Sequence, residues 1–122
     1  MHFTRDPGTE PNAIVACAAG EIRLRERAFT TSLIVTRTVV LEGWRPAPAD
    51  QLTIEDFTDL LALTPEVVLL GTGLRQRMPP TALYAAFAAR GIGLEVMDNA
   101  AACRTYNLLL SEYREVAVAL ML

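Results

Sequence analysis

Apolar and polar residues alternate with a period of two in the first third of the chain. In residues 21–26, apolar side chains alternate with arginines, which predicts a strand with one face in water. The small apolar run at 13–18 is separated from it by Gly20, so the two runs predict a β-hairpin. The β-branched run SLIVTRTVVL predicts a further strand at 32–40.

Three later segments have the spacing and the end signals of helices. Thr53 and Asp56 match a capping box, in which each side chain accepts a hydrogen bond from the backbone N–H of the other residue. Two prolines open the second segment and a glycine follows it, and Asp98 or Asn99 can cap the third. The predicted helices lie at 53–63, 80–90 and 98–111.

Short apolar runs between and after these helices predict strands at 66–70, 92–96 and 115–121. The last run could instead continue the third helix, but its alternation and its valine content favour a strand. The run at 66–70 is expected to be covered on both faces, because every residue after the first is apolar.

Strands that alternate with helices predict an α/β fold with right-handed crossovers. We therefore predict a single domain at 13–122 with a mixed, mostly parallel sheet, about three helices and an N-terminal β-hairpin extension. Residues 1–12 are polar and predict a loose tail.

Composition narrows the classes of function. The chain has 122 residues, of which 52% are hydrophobic and 20% charged, and this suits one globular domain. Its net charge of −3 is not typical of nucleic-acid-binding proteins, so no nucleic acid is expected as a partner. No apolar run approaches the ~18 residues of a membrane helix, and the N-terminus does not resemble a signal peptide. A cytoplasmic protein without direct membrane insertion is expected.

The residue inventory restricts the chemistry further. The chain has no lysine, which excludes Schiff-base catalysis and a P-loop, and its only histidine, His2, lies in the predicted tail. Cys17 and Cys103 lack the spacing of a zinc site and are interpreted as buried, inert thiols. We therefore expect no catalytic residues, no metal and no cofactor, and a non-enzymatic role is favoured.

A candidate cleft follows from two turns at the carboxyl ends of predicted strands. Ligands of open α/β sheets bind at these ends, and the turns GTG and MDN both lie there. The GTG turn matches no complete nucleotide-binding signature, so it either holds an anion together with nearby arginines or only turns the chain with a positive φ. The third helix adds polar residues at helical spacing. The candidate cleft residues are Gly71, Thr72, Gly73, Arg75, Arg77, Asp98, Asn99, Arg104 and Asn107.

Two long segments, PEVVLLGTGLRQRMPP and GLEVMDNAAACRTYNLLLSEYREVAVAL, resemble a family of small bacterial and archaeal proteins of unassigned function. Its animal relatives include mitochondrial respiratory complex I assembly factor three and an adipogenesis-associated cytoplasmic protein. The resemblance covers residues 13–122 and implies a single α/β domain with a β-hairpin extension. Many relatives have Gly where this chain has Tyr113, and they usually have Thr where it has Asn99.

Two hypotheses of function remain at this point. The resemblance implies a protein-interaction or assembly-factor-like module with protein partners, linked to membrane complexes. The alternative is a small protein that binds an anionic ligand, or an unusual enzyme, using the cleft at the GTG turn. An open polar pocket would favour a ligand, whereas an exposed apolar patch would favour a protein partner.

Overall fold

The computed structural model describes residues 10–122, so His2 and the rest of residues 1–9 lie outside the described part. The strands are β1 Ile14–Ala18, β2 Glu21–Leu24, β3 Ala28–Phe29, β4 Leu33–Thr36, β5 Val40–Glu42, β6 Val67–Gly71, β7 Gly93–Met97 and β8 Val116–Leu120. The helices are α1 Thr58–Leu61, α2 Thr81–Ala89 and α3 Asn99–Ser111, with short 3-10 turns at Ala49–Gln51 and Ile54–Phe57.

The strands form two sheets. The first is antiparallel, in the order β1-β2-β3, and the second has the order β5-β4-β8-β6-β7. In the second sheet, β6 is parallel to β7 and β8, whereas β4 is antiparallel to β5 and β8. The predicted single α/β domain with three helices and an N-terminal hairpin is confirmed. Parallel and antiparallel pairings are equally frequent in the larger sheet, so its parallel share is smaller than predicted.

The core lies on both faces of the larger sheet. Leu69 and Val118 contribute to the core on the α3 side, whereas Val68 and Ala117 contribute to the core on the α2 side. Strand β6 is therefore covered on both faces, as its apolar run predicted. The segment predicted as 115–121 is a strand, and β8 occupies the centre of the sheet with all five residues buried.

The run predicted as one strand at 32–40 folds instead into the β4–β5 hairpin. Its turn contains no Gly, Pro or Asn, but the hydroxyl of Thr36 accepts hydrogen bonds from the backbone N–H groups of Thr38 and Val39 at 3.4 and 3.1 Å. Strand β3 was also missed, because two residues are too short a run to show a pattern.

Part of the predicted tail is fixed to the domain. Glu10 is buried and its carboxylate accepts a hydrogen bond from Arg37 at 2.7 Å. The carbonyl of Asn12 accepts one from the hydroxyl of Tyr106 at 2.9 Å. The prediction of a loose tail is therefore wrong for residues 10–12, which long-range contacts hold in place.

The segment between α3 and β8 contains a residue with a positive φ, Tyr113. Tyr113 has a φ of 60°, a conformation that glycine adopts without strain, and it stands where the resemblance implies Gly in many relatives. Within residues 10–122, no helix is long and apolar enough to cross a membrane.

Candidate functional site

The GTG turn and the start of α3 are in direct contact. The backbone N–H of Asn99 donates to the carbonyl of Gly73 at 2.8 Å, and the side-chain oxygen of Asn99 accepts from the N–H of Gly73 at 3.0 Å. The side-chain amide of Asn99 also donates to the carbonyl of Met121 at 3.0 Å. Asn99 is buried, and it joins the turn, the helix and the end of the central strand.

The two glycines of the turn have different structural roles. Gly71 is required by close packing, because a Cβ atom would overlap the side-chain oxygen of Asn99 and lie 2.8 Å from Leu120. Gly73 is favoured by its backbone, since its φ is 99°. The predicted positive φ is present at one of the two glycines.

Thr72 shapes the loop that follows the turn. Its side chain is buried, and its hydroxyl donates to the carbonyl of Arg75 at 2.7 Å and accepts from the N–H of Arg77 at 2.9 Å. The side chain of Gln76 ties the same loop to β7 through the carbonyl of Val96 at 2.9 Å. The Thr72 hydroxyl is therefore already engaged within the fold.

The positive end of α3 is occupied by a carboxylate. Asp98 is the N-cap residue, and its side chain accepts a hydrogen bond from the N–H of Ala101 at 2.8 Å. A negative charge at this position favours the helix but repels a second anion. This arrangement argues against an anion site at the start of α3.

A hydrophobic and basic surface projects from the loop. We call the side chains of Leu74, Arg75, Arg77 and Met78 the turn tip. Leu74 is 78% exposed and Met78 is 59% exposed. Both arginines are exposed, and neither forms an ion pair within the part of the chain that the structure describes. Leu74 and Met78 were not among the predicted site residues. The sequence does place a large apolar residue directly after Gly73, and in a turn this indicates an exposed apolar side chain.

The two predicted helix residues, Arg104 and Asn107, do not extend the cleft. Asn107 accepts from the backbone N–H of Ile14 at 3.0 Å and donates to its carbonyl at 2.7 Å, so it fixes β1 to α3. Arg104 is exposed on α3 and does not line a cleft of the GTG turn. The nine predicted residues therefore do not share one crevice.

Two clefts lie on either side of the GTG turn, and Gly73, Leu74, Met121 and Leu122 border both. The hairpin cleft, of about 450 Å³, lies between residues 17–20 of the first hairpin and residues 98–100. The arginine cleft, of about 610 Å³, lies between residues 48–50 and the two arginines of the turn tip.

The remaining candidates for proton chemistry are poorly suited to it. Burial raises the pKa of the Cys103 thiol, and the neighbouring Cys17 raises it further. Burial also raises the pKa of Tyr106, so both groups are protonated at neutral pH. Cys17 is only half-buried and lines the hairpin cleft, which corrects its interpretation as a buried core residue.

Within residues 10–122, no group of three or more His, Cys, Asp or Glu side chains could hold a metal ion.

Comparison with known proteins identifies relatives of the whole fold. The chain is 35% identical over 99 residues to the 13 kDa major membrane protein of Francisella tularensis subsp. holarctica, covering 80% of each chain. It is 36% identical over 98 residues to the mouse (Mus musculus) NADH dehydrogenase [ubiquinone] 1 alpha subcomplex assembly factor 3. That match covers 78% of this chain and 51% of the mouse protein, so the chain spans about half the length of that relative.

A solved structure and a family model agree with these matches. The solution NMR structure of a Bordetella pertussis protein, described as a Mth938-like domain, superposes with a TM-score of 0.78 at 29% identity. It covers 99% of this chain and 92% of the other. The model of a protein family of unknown function, DUF498/DUF598, matches residues 14–121. The chain therefore belongs to the DUF498/DUF598 family, and it has a Mth938-like fold.

Proposed function

We propose that this chain is a non-enzymatic, assembly-factor-like module that binds a protein partner through the turn tip. The observation that carries the proposal is Leu74, a large apolar side chain that is 78% exposed on a turn fixed by hydrogen bonds. Apolar side chains that project from an ordered scaffold are frequent anchors of protein–protein interfaces.

The turn tip is positioned before any partner arrives. Thr72 holds the backbone of residues 75 and 77, Gln76 is tied to β7, and Asn99 holds Gly73. A fixed surface loses little conformational entropy on binding, which favours affinity. The same hydrogen bonds leave the polar groups of the turn engaged, so the exposed side chains are what the turn presents to a partner.

The side chains of the turn tip indicate what kind of surface the partner has. Leu74 and Met78 fit an apolar pocket, whereas Arg75 and Arg77 fit carboxylates at its rim. The chain as a whole has a net charge of −3, so this local positive patch would orient an acidic partner towards the turn tip.

The relatives support a protein partner. One relative, from mouse, is named an assembly factor of the NADH dehydrogenase [ubiquinone] 1 alpha subcomplex. We extend that role to this chain as part of the proposal, with a cytoplasmic location and a partner linked to a membrane complex.

Photo-cross-linking tests the proposal directly. A benzophenone amino acid replaces Leu74 in one variant and Leu108, which is 53% exposed on α3, in the matched control. We expect a discrete cross-linked protein from the Leu74 probe in cells of the native host, and its yield should fall when Arg75 and Arg77 are changed to Ala. Equal yields of the same products from both positions would contradict the proposal.

A second candidate function is the binding of a small anion in the arginine cleft. The observation that favours it is that Arg75 and Arg77 both line this cleft without an ion pair among the described residues. Asp50 also lines the cleft and would oppose an anion. Calorimetric titration with inorganic phosphate and pyrophosphate tests this candidate, which requires saturable binding that the double Arg→Ala variant loses.

A further inference from the structure

The first strand and the third helix run antiparallel across a shared contact. Asn107 bonds to Ile14 at the start of β1, whereas residues 17–20 at its end face residues 98–100 across the hairpin cleft, so the numbering rises along β1 as it falls along α3. Cys103 lies one helical turn before Asn107, on the same side of α3. The residues of β1 beyond Ile14 therefore run towards Cys103.

This alignment brings the two cysteines of the chain together. Cys17 packs against the core cluster that contains Cys103, and the Cys17 thiol is close enough to raise the pKa of Cys103. They come from opposite parts of the chain, and both are reduced in this structure.

The two thiols differ in their access to solvent. Cys17 is half-buried and forms part of the wall of the hairpin cleft, next to residues 18–20. Cys103 is only 5% exposed and lies behind it. A small oxidant that enters the hairpin cleft would therefore meet the sulfur of Cys17 first.

We propose that Cys17 and Cys103 form a reversible disulfide when the protein encounters a hydroperoxide, with Cys17 as the attacking thiol and Cys103 as the resolving thiol. This modification site is independent of the proposed docking at the turn tip. Its product would link β1 covalently to α3 and remove the Cys17 thiol from the wall of the hairpin cleft.

The chemistry takes two steps. The Cys17 thiol gives up its proton as its sulfur attacks one peroxide oxygen and the O–O bond breaks; Cys17 becomes a sulfenic acid, and the leaving oxygen takes up that proton and departs as water or an alcohol. The sulfur of Cys103 then attacks the sulfenic sulfur, the S–O bond breaks, and the hydroxyl leaves as water with the Cys103 proton. The two thiols together give two electrons to the peroxide. Thiol reductants reverse the product by exchange.

Peptide mapping after peroxide treatment tests the proposal. Each cysteine lies in its own arginine-bounded tryptic peptide, residues 6–23 and residues 91–104. We expect hydrogen peroxide to convert both peptides together into one linked species that is about 2 Da lighter than their sum. No disulfide-linked dimer should form, and dithiothreitol should restore both thiols.

Two variants separate the roles of the thiols. In Cys17→Ser, which changes a half-buried position, Cys103 should remain a free thiol at the same peroxide dose because it is buried. In Cys103→Ala, the sulfenic acid at Cys17 has no internal partner, so its capture by dimedone should rise at least about tenfold over wild type.

Other products would overturn the proposal. It fails if wild type accumulates oxidised Cys17 while Cys103 remains a thiol, or if a Cys17–Cys17 dimer is the main product. It also fails if Cys103 is oxidised equally fast in wild type and in Cys17→Ser.

Discussion

Residues 71–73 and the turn tip are adjacent in the chain, but residues 71–73 are packed into the fold whereas the turn tip is exposed to solvent. Residues 71–73 are held by packing and by hydrogen bonds. Gly71 has no space for a Cβ atom, and the Thr72 hydroxyl forms two hydrogen bonds with the backbone of the loop. In the turn tip, only a few residues further along, Leu74 is 78% exposed and the arginines lack ion pairs within residues 10–122.

The difference shows how the fold itself can use the polar groups of a glycine turn at the end of a parallel strand. Its N–H groups and its hydroxyl serve the fold, because Asn99 and the loop backbone occupy them. The rigidity that results holds the next residues in place for recognition. We therefore expect the fixed part to govern stability and the turn tip to govern binding.

The largest expected effect is at Gly71. The change Gly71→Ala places a Cβ atom against Asn99 and Leu120, so it should lower the free energy of unfolding by about 3 kcal/mol through overpacking and lost hydrogen bonds. Urea unfolding followed by circular dichroism measures this.

The matched control for that change is Gly93→Ala. Gly93 also lies in a strand, but its nearest neighbour to a new Cβ atom is at an ordinary 3.7 Å, so a change of at most about 0.5 kcal/mol is expected. Similar losses for the two variants would refute the close-packing role of Gly71.

Asn99 should have the next largest effect. The change Asn99→Ala removes the partners of the Gly73 N–H and the Met121 carbonyl, and should cost about 2 kcal/mol of unfolding free energy. The change Asn99→Thr should cost clearly less, because a hydroxyl can replace one of the bonds. Urea unfolding measures both losses. An unfolding free energy equal to that of wild type for Asn99→Ala would show that Asn99 does not stabilise the turn.

A smaller loss is expected at Gly73. Its φ is 99°, but a Cβ atom there would meet nothing closer than 3.9 Å. The change Gly73→Ala therefore tests backbone strain alone and should cost about 1 kcal/mol. Thermal unfolding by calorimetry measures this, and a loss as large as that of Gly71→Ala would show that the two glycines have the same role.

The smallest effect on stability should come from the turn tip. The double change of Arg75 and Arg77 to Ala should alter the free energy of unfolding by at most about 0.5 kcal/mol, because both side chains are exposed. A larger loss in urea unfolding would mean that the arginines serve the fold, and the comparison between the two parts of the loop would fail.

Local patterns in the sequence were sufficient for most of the fold. The apolar run of β6 and the helix signals around α2 and α3 predicted their elements, because these depend on nearby residues. The β4–β5 hairpin was missed because Arg37, in its turn, is held by Glu10 and by the carbonyl of Leu110, which are far away in sequence.

The site was less predictable for the same reason. The sequence identified that the GTG turn and the start of α3 are neighbours, since both follow parallel strands. The sequence could not show that the side chain of Asn99 accepts a hydrogen bond from Gly73. It also could not show that the side chain of Asn107 bonds to Ile14 instead of lining the cleft. Side-chain partners across more than 20 residues depend on the tertiary structure and leave no local pattern.

The affinity for the protein captured by the Leu74 probe shows directly whether the turn tip is the docking surface. Isothermal titration compares wild type with Leu74→Asp and with Leu108→Asp, two equivalent changes at exposed leucines on different surfaces. We expect Leu74→Asp to weaken binding at least about tenfold, which corresponds to about 1.4 kcal/mol, and Leu108→Asp to leave the affinity unchanged. Equal affinity for wild type and Leu74→Asp would contradict the assignment of the turn tip as the docking surface.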